Sequence, residues 1–425
     1  MTFEGQDNRS PDRDFKQNLK GRHRLSYTWR IVFQASTVVG VIVLTMLLLN
    51  IINSSFGYVA VQNKIEPEAV VSDLAGDASG RELQELPRET LVAILQAHVS
   101  RGLFRRLEHD RPFAERSRED VYNLVLERVI EPEIVQTWSL YDSVFNRPAV
   151  YAEAARKYPA AELAFVSWID ADFVRKPQSS MPQNAGVRTA ILGSLWVIAI
   201  TVVFALPLGV GAAIYLEEYA GENFVNRIIQ TNINNLAGVP SIIYGLLGLA
   251  IFVRALEPIT SGMLFGGVPD PTTANGRTIL SAGLTLGLLI LPLIIINAQE
   301  AIRAVPASLR QASFGLGATR WQTIWHHVLP GALPGILTGA ILAVSRAVGE
   351  TAPLVVVGAS TFITIDPDGP FSKFTTLPIQ IFQWTSRPQD EFRNIAGAAI
   401  IVLLALLLTL NASAILLRNR YSRRI

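Results

Sequence analysis

The sequence predicts an all-α, polytopic membrane protein: six transmembrane helices and one small, mainly helical domain outside the cytoplasm. Three observations carry that prediction. Half of the 425 residues are hydrophobic and 17% are charged, against about 25% charged in an ordinary soluble chain. The apolar residues gather in six runs, at 31–56, 187–216, 235–256, 279–299, 333–361 and 395–417. Each run is near the ~20 residues that cross a bilayer at about 1.5 Å per residue. The polar stretch 57–185 holds roughly half of the charges.

Basic residues orient the chain. Residues 1–30 form a cytoplasmic segment carrying Lys16, Lys20, Arg22, Arg24 and Arg30, and the tail RNRYSRR follows the last run. Positive loops stay inside, so both termini are cytoplasmic, as an even number of spans requires. The loop after the fourth run, with Arg303, Arg310 and Arg320, falls inside as well. Residues 217–234 fit the rule poorly, setting Glu217, Glu218 and Glu222 against Arg227 alone. The first run starts only at Ile31 and is longer than the ~7–15 apolar residues of a cleaved signal, so 31–56 reads as a transmembrane helix. There is no cysteine, which excludes disulfides, thiolate metal sites and thiol catalysis. The net charge of +2 is too small to point to nucleic acid.

In the extracytoplasmic segment 57–185, Leu91, Ile94, Leu95, Val99, Leu103 and Leu107 follow a helical stripe. Val121, Leu124, Val125, Val129 and Ile130 predict a second helix, and Val150 to Tyr158 a third. Its length suffices for a modest core. A docking or shielding role and a plain insertion stay equally open. Residues 186–425 then form a five-helix core. Its third run begins at AGVPSIIYG, where Pro240 and Ser241 either break the helix and free backbone donors or only kink it.

The loop at 300–332 is polar at its start and apolar later. Pro306 suits a first helical turn and Gly317 a helix C-terminus needing positive φ. Thr319 and Gln322 have capping-box spacing for a second short helix. Leu316, Trp321, Ile324 and Trp325 then leave apolar side chains that either dock in a partner's groove or pack on the chain's own bundle.

This loop resembles the EAA loop of bacterial ABC-importer permeases. Gln311-Ala312-Ser313 stand at its Glu-Ala-Ala start, Gly317 at its glycine, and Leu329-Pro330 close it; Gln311 and His327 depart from the usual Glu and Ile. NLAGVPSIIYGLLGLAIFV and the run from Ala301 to Leu354 are similar to the A-type permease subunits of phosphate-specific importers. The ending Gly349-Glu350-Thr351-Ala352-Pro353-Leu354 is closer to these than to the C-type. The resemblance implies a six-helix (MetI-like) permease of the bacterial inner membrane. It further implies a C-type permease partner, two ATP-binding subunits that carry the ATP and Mg, and an extracytoplasmic phosphate-binding protein. Gln311, Ala312, Gly317, Trp321, Ile324, Leu329 and Pro330 are the coupling positions it implies. The chain itself has no G-x-x-x-x-G-K-[ST], H-E-x-x-H or G-x-S-x-G, and no Asp in a membrane run. It therefore reads as a transport subunit, neither an enzyme nor the holder of a cofactor or metal.

Arg346 and Glu350 stand i, i+4 in the fifth run, where one charge costs roughly 2.5 kcal/mol or more and needs a partner. They mark either a substrate path or a structural clasp. An arginine fork suits an oxyanion. A carboxylate beside it suits hydrogen phosphate, whose O–H it can accept, and repels sulfate, which has none at neutral pH. Thr351 adds a hydroxyl that serves either the path or its own helix, and Ser241 is the candidate on the third run. The small pair Gly335 and Gly339 reads as helix packing, and His326 and His327 lack a third ligand at metal-site spacing. The rival readings are a permease for another oxyanion such as sulfate or molybdate, an intramembrane enzyme, and an ATP-independent channel.

Overall fold

The computed structural model describes residues 19–422 apart from 66, 73–82, 84–85, 111, 180, 222, 267–275, 360–361 and 364. Lys16, Glu222, Thr361 and the last two arginines of the tail lie outside the described residues. The chain divides into two units, residues 1–53 and 54–425. The described part of the first is one helix, α1 (Leu19–Ser55), of 37 residues. Thr37 donates to Phe33 O at 2.9 Å and Thr45 to Val41 O at 2.8 Å. The hydroxyls inside this apolar run are thus satisfied by its own backbone.

The second unit opens with an antiparallel sheet of β1 (Phe56–Asn63), β2 (Pro132–Thr137) and β3 (Glu162–Ser167), with β1 central. The helical stripes gave no sign of it. In β1, Val59 and Ala60 are both buried although they point to opposite faces, so the two-residue alternation that marks a strand is absent. The predicted stripe from Leu91 to Leu107 is two helices, α2 (Arg88–His98) and α3 (Arg101–Asp110). α4 (Arg118–Val125) starts at a Ser117–Asp120 capping box, and α5 (Arg147–Lys157) is the third expected helix.

Two cores hold this polar segment. One is its own, with Leu91, Ile94, Leu95, Val121, Val125 and Ile130 buried together. The other is shared: Val59, Ile134, Trp168 and Phe173 pack with Leu377, Trp384, Phe392 and Ile395 from the membrane half. Phe173 and Trp384 have ring centres 6.1 Å apart. The Gln178 amide donates to Gln383 Oε1 at 2.8 Å, and its oxygen accepts the Ile363 N–H at 3.1 Å. Half of the segment is therefore a layer fused to the membrane helices.

Among the described residues five helices are long and apolar enough to cross a membrane, and a bent pair, counted as one span, brings the number to six. Their directions can be read from close contacts. α6 (Arg188–Ile214), which continues to Tyr219 through a wide turn, is followed by α7 (Phe224–Ala237) and α8 (Ser241–Gly248), then α9 (Ile279–Arg303). α6 and α9 run parallel, with Gly283 against Ile200, Gly287 against Phe204 and Gly209 against Ile294. Their starts share one end of the molecule. There Asp366 takes Arg188 at 2.9 Å and Thr189 at 3.0 Å, while the Ile279 N–H donates to Ser372 O at 3.1 Å. Their finishes share the other end, where Arg303 meets Glu217 at 2.7 Å. The chain between them must cross back, and the bent pair, turned by 107° between Ala237 and Ser241, is the described helical stretch that does so.

After α10 (Ala307–Gly315) and α11 (Arg320–Thr323), α12 (Leu329–Gly349) returns antiparallel to α9. Gly335 abuts Ala301 and Gly339 abuts Asn297, the packing role their spacing indicated. Two shorter helices follow, α13 (Ala352–Val357) and α14 (Leu377–Thr385). α15 (Asp390–Ser422) then descends along α12, tied by Ser345 to Asn411 at 2.7 Å and Arg418 to Thr338 at 3.2 Å. Trp384 is fully buried in the shared core. Trp384→Ala should cost about 3–5 kcal/mol, seen as a lower Tm in detergent and faster proteolysis within 57–185. Unchanged proteolysis would count against a shared core.

Candidate functional site

The fifth apolar run does not form one helix to its end. α12 stops at Gly349, Glu350 turns to extended backbone (φ −78°, ψ 122°), and α13 starts at Ala352. Pro353 is the reason. In an unbroken helix it would lose the bond to the Gly349 carbonyl and clash with it. In the first turn of a new helix its missing N–H costs nothing.

Arg346 and Glu350 therefore stand on either side of a helix end and not on one continuous helical face. They still pair, Nε to Oε1 at 3.6 Å, too far for a hydrogen bond. The Arg346 side chain keeps 47% of its surface open and Glu350 20%. Leu342, one turn before Arg346, is exposed on the same face, while Ala343 and Ala347 turn into the core. Among the described residues of the second unit, no helix covers this face of α12.

Depth follows from register. Continuing the α9–α12 register beyond Gly339 brings Arg346 level with Ile290, near the middle of α9; Ala347 and Ile290 share one buried cluster. α8, continued by a wide-turn stretch to Ala255, is also antiparallel to α9, with Gly248 against Thr285 and, beyond α8, Val253 against Gly276 just before α9. Continued, that register brings Ser241 level with Pro292, within a turn of Ile290. The two helix breaks lie at one depth. Gly245 lets Pro353 approach so closely that a Cβ there would sit 2.7 Å from the Pro353 Cα. Tyr244 is buried between them and its hydroxyl donates to Leu236 O at 2.8 Å, bridging the bend. Thr351 occupies the cap position of α13, and its side chain makes no capping bond. Arg346, Glu350, Thr351 and Ser241 thus share one level of the bundle. Irregular backbone at membrane depth is tolerated where it is buried in protein or lines an aqueous cavity.

The loop at 300–332 has most of the expected local chemistry. Pro306 stands one residue before α10 and not in its first turn, with no side-chain cap bond, whereas Gly317 takes φ 81° and both bonds of the Thr319–Gln322 box are present. Gln311 and Ala312 are exposed. Leu316 is 90% exposed, and Trp321 and Trp325 stack at 5.5 Å with more than half of each open. Ile324 is different. It is 2% exposed, so it anchors the loop inward and is not available to a partner. The four-residue step from Trp321 to Trp325 keeps both on the outer face, and Ile324 falls on the inner one. Leu329 packs on a small core of Ala298, Ile302 and Val328, and Pro330 lies in the first turn of α12.

One constellation escaped the sequence reading. Glu217 receives Arg303 side-on, Nε to Oε2 at 2.8 Å and Nη2 to Oε1 at 2.7 Å. Glu218 receives Arg310 through Nε at 3.0 Å and Nη2 at 2.8 Å. Gln299 donates to Glu217 at 3.0 Å and to Gln230 on α7 at 2.8 Å. The misfit of these glutamates with the positive-loop rule was the available signal, since their charges are met by arginines 86 and 92 residues away. Among the described residues no group of three or more His, Cys, Asp or Glu could hold a metal ion.

The family model of the binding-protein-dependent transport system inner membrane component matches residues 205–425, so this chain belongs to that membrane permease family. Over 261 residues it is 31% identical to the probable ABC transporter permease protein YqgI of Bacillus subtilis, covering 58% of this chain and 83% of the relative. It is 36% identical over 241 residues to the phosphate transport system permease protein PstA 1 of Mycobacterium tuberculosis (strain ATCC 25618 / H37Rv), covering 56% of this chain and 71% of the relative. A solved inward-facing structure of the MetNI methionine ABC transporter aligns at TM-score 0.41 and 19% identity, over 57% of this chain and 99% of that one.

The native chain has no cysteine, which makes exposure at this level directly measurable. In the detergent-solubilised chain, Arg346→Cys should be alkylated by a charged thiol reagent, whereas Ala347→Cys, at a position 1% exposed, should resist it. Equal labelling by mass spectrometry would contradict the assigned face of α12.

Proposed function

We propose that this chain is the A-type permease subunit of an ATP-driven phosphate importer. The observation that carries the reading is the half-open Arg346, loosely paired with Glu350, beside two helix breaks at mid-depth. A buried clasp would close to hydrogen-bond distance and cover the guanidinium. At 3.6 Å, with its fork open, Arg346 has donors to offer a passing oxyanion. Glu350 accepts the proton that hydrogen phosphate carries and sulfate lacks, and the hydroxyls of Thr351 and Ser241 take further oxygens. A site of this kind must be weak, because ligand has to leave as readily as it enters.

The PstA name of one relative supports phosphate as the ion. Sulfate and molybdate are the rival substrates, and the carboxylate favours an oxyanion that still bears a proton. The open face of α12 accommodates a C-type permease, which would complete the path. Leu316, Trp321 and Trp325, with Gln311, Ala312 and Gly317, form the coupling surface for one of two ATP-binding subunits. ATP and Mg belong to those subunits, and this chain holds no cofactor. An extracytoplasmic phosphate-binding protein delivers the ion on the side of residues 57–185. Both termini are cytoplasmic in this arrangement, and the paired Glu217 and Glu218 no longer oppose it.

In proteoliposomes holding the complete importer, Arg346→Gln should lower phosphate uptake at least about tenfold, the equivalent of 1.4 kcal/mol. Glu350→Gln should instead relax discrimination between phosphate and sulfate in competition assays. Normal uptake by the first variant, or unchanged discrimination by the second, would remove the assigned role. At the coupling surface, Trp321→Ala should weaken recovery of the ATPase with the purified permease by more than about 1 kcal/mol. Undiminished co-purification would place the contact elsewhere.

A further inference from the structure

We infer that the Glu218–Arg310 and Glu217–Arg303 pairs are a strut that makes the coupling loop and the inner end of the second span move as one body. The inference rests on the importer reading above and adds to it a positioning role that lies away from both the substrate path and the ATPase-facing side chains.

The geometry is that of a clamp between four segments. Arg310, on α10, is the most constrained member. Besides its two bonds to Glu218, it donates to Ile302 O at 2.9 Å, in the last turn of α9, and to Val305 O at 2.7 Å, just beyond that helix. One side chain thus ties the start of the loop to the end of the fourth span and to the end of the second. Arg303 repeats the tie at the end of α9 and Gln299 about one turn higher, and Gln299 extends it to Gln230 on α7. The carboxylates are only 12% exposed and Arg310 20%. The Glu218–Arg310 pair is charge-assisted and partly desolvated, unlike the surface ion pairs that contribute almost nothing, whereas Arg303 keeps 54% of its side chain open.

The position gives the strut its use. Leu316, Trp321 and Trp325 receive any push from a docked ATPase. α10 carries that push directly into Arg310 and, through Glu218, into the wide turn Tyr215–Tyr219 that ends the second span. Without the strut the loop reaches the bundle through the ends of α9 and α12, and displacement of the loop can leave the second span behind.

The experiment uses the complete importer in proteoliposomes. Arg310→Gln and Glu218→Gln should each raise the ATP hydrolysed per phosphate transported by about tenfold, within the usual range of coupling between sites, while hydrolysis itself persists. A ratio equal to wild type in both variants would overturn the inference. If the wild-type complex itself shows no ATP-driven phosphate uptake, the importer reading fails instead. Because a charge variant can unfold, a second measurement leaves the strut intact. Spin labels on Gly221→Cys and Ser308→Cys, in the otherwise cysteine-free chain, report the spacing of the second span and the loop. That spacing should stay constant between ATP-bound and ADP-bound complexes. A change near one helical turn, about 5 Å, would show the loop moving independently and would overturn the strut.

Discussion

A cation halfway through an apolar bundle governs much of what surrounds it. In hydrocarbon the charge of a guanidinium must meet water, a counter-charge or protein dipoles. The structure answers with Glu350 at 3.6 Å, with an open face on α12, and with two interruptions of helical backbone at the same level. Each answer is partial, and a fully satisfied pair would have no reason to bind anything else. The incompleteness leaves donors of Arg346 open.

That level can exist only because the surrounding helices approach closely. Gly283, Gly287 and Gly209 seat α6 against α9, Gly335 and Gly339 seat α12 on its other side, and Gly248 receives Thr285. In lipid no hydrophobic force drives helices together, so close backbone approach supplies the attraction. The prolines act the opposite way. Pro240 and Pro353 open the backbone beside the arginine, and Gly245 lets the two openings touch.

The number of crossings, the caps of the 300–332 loop and the packing glycines were legible in the sequence, because each depends on composition or on spacing within one turn. The end of α12 was legible in principle, since Pro353 forbids the helix that the apolar run invites; hydropathy alone ran past it. The sheet was hidden because β1 is apolar on both faces. Ile324 was misjudged because the residue types in an amphipathic helix do not say which side its own bundle takes. The arginine–glutamate clamp was out of reach for another reason. Its members are up to 92 residues apart, and only the folded bundle brings the ends of α6 and α9 together.

α15 has 33 residues and so is about 50 Å long, more than a bilayer's hydrocarbon requires. Its first turns, with Phe392 and Ile395, are mortared into the polar layer, while Arg418 near its other end leans on α12 through Thr338. The helix is a mast stepped in two decks. A tilt of about 5° imposed at the upper deck displaces the foot by roughly 4 Å over such a length. One unbroken helix thus joins the polar layer to the opposite end of the bundle with no hinge in between.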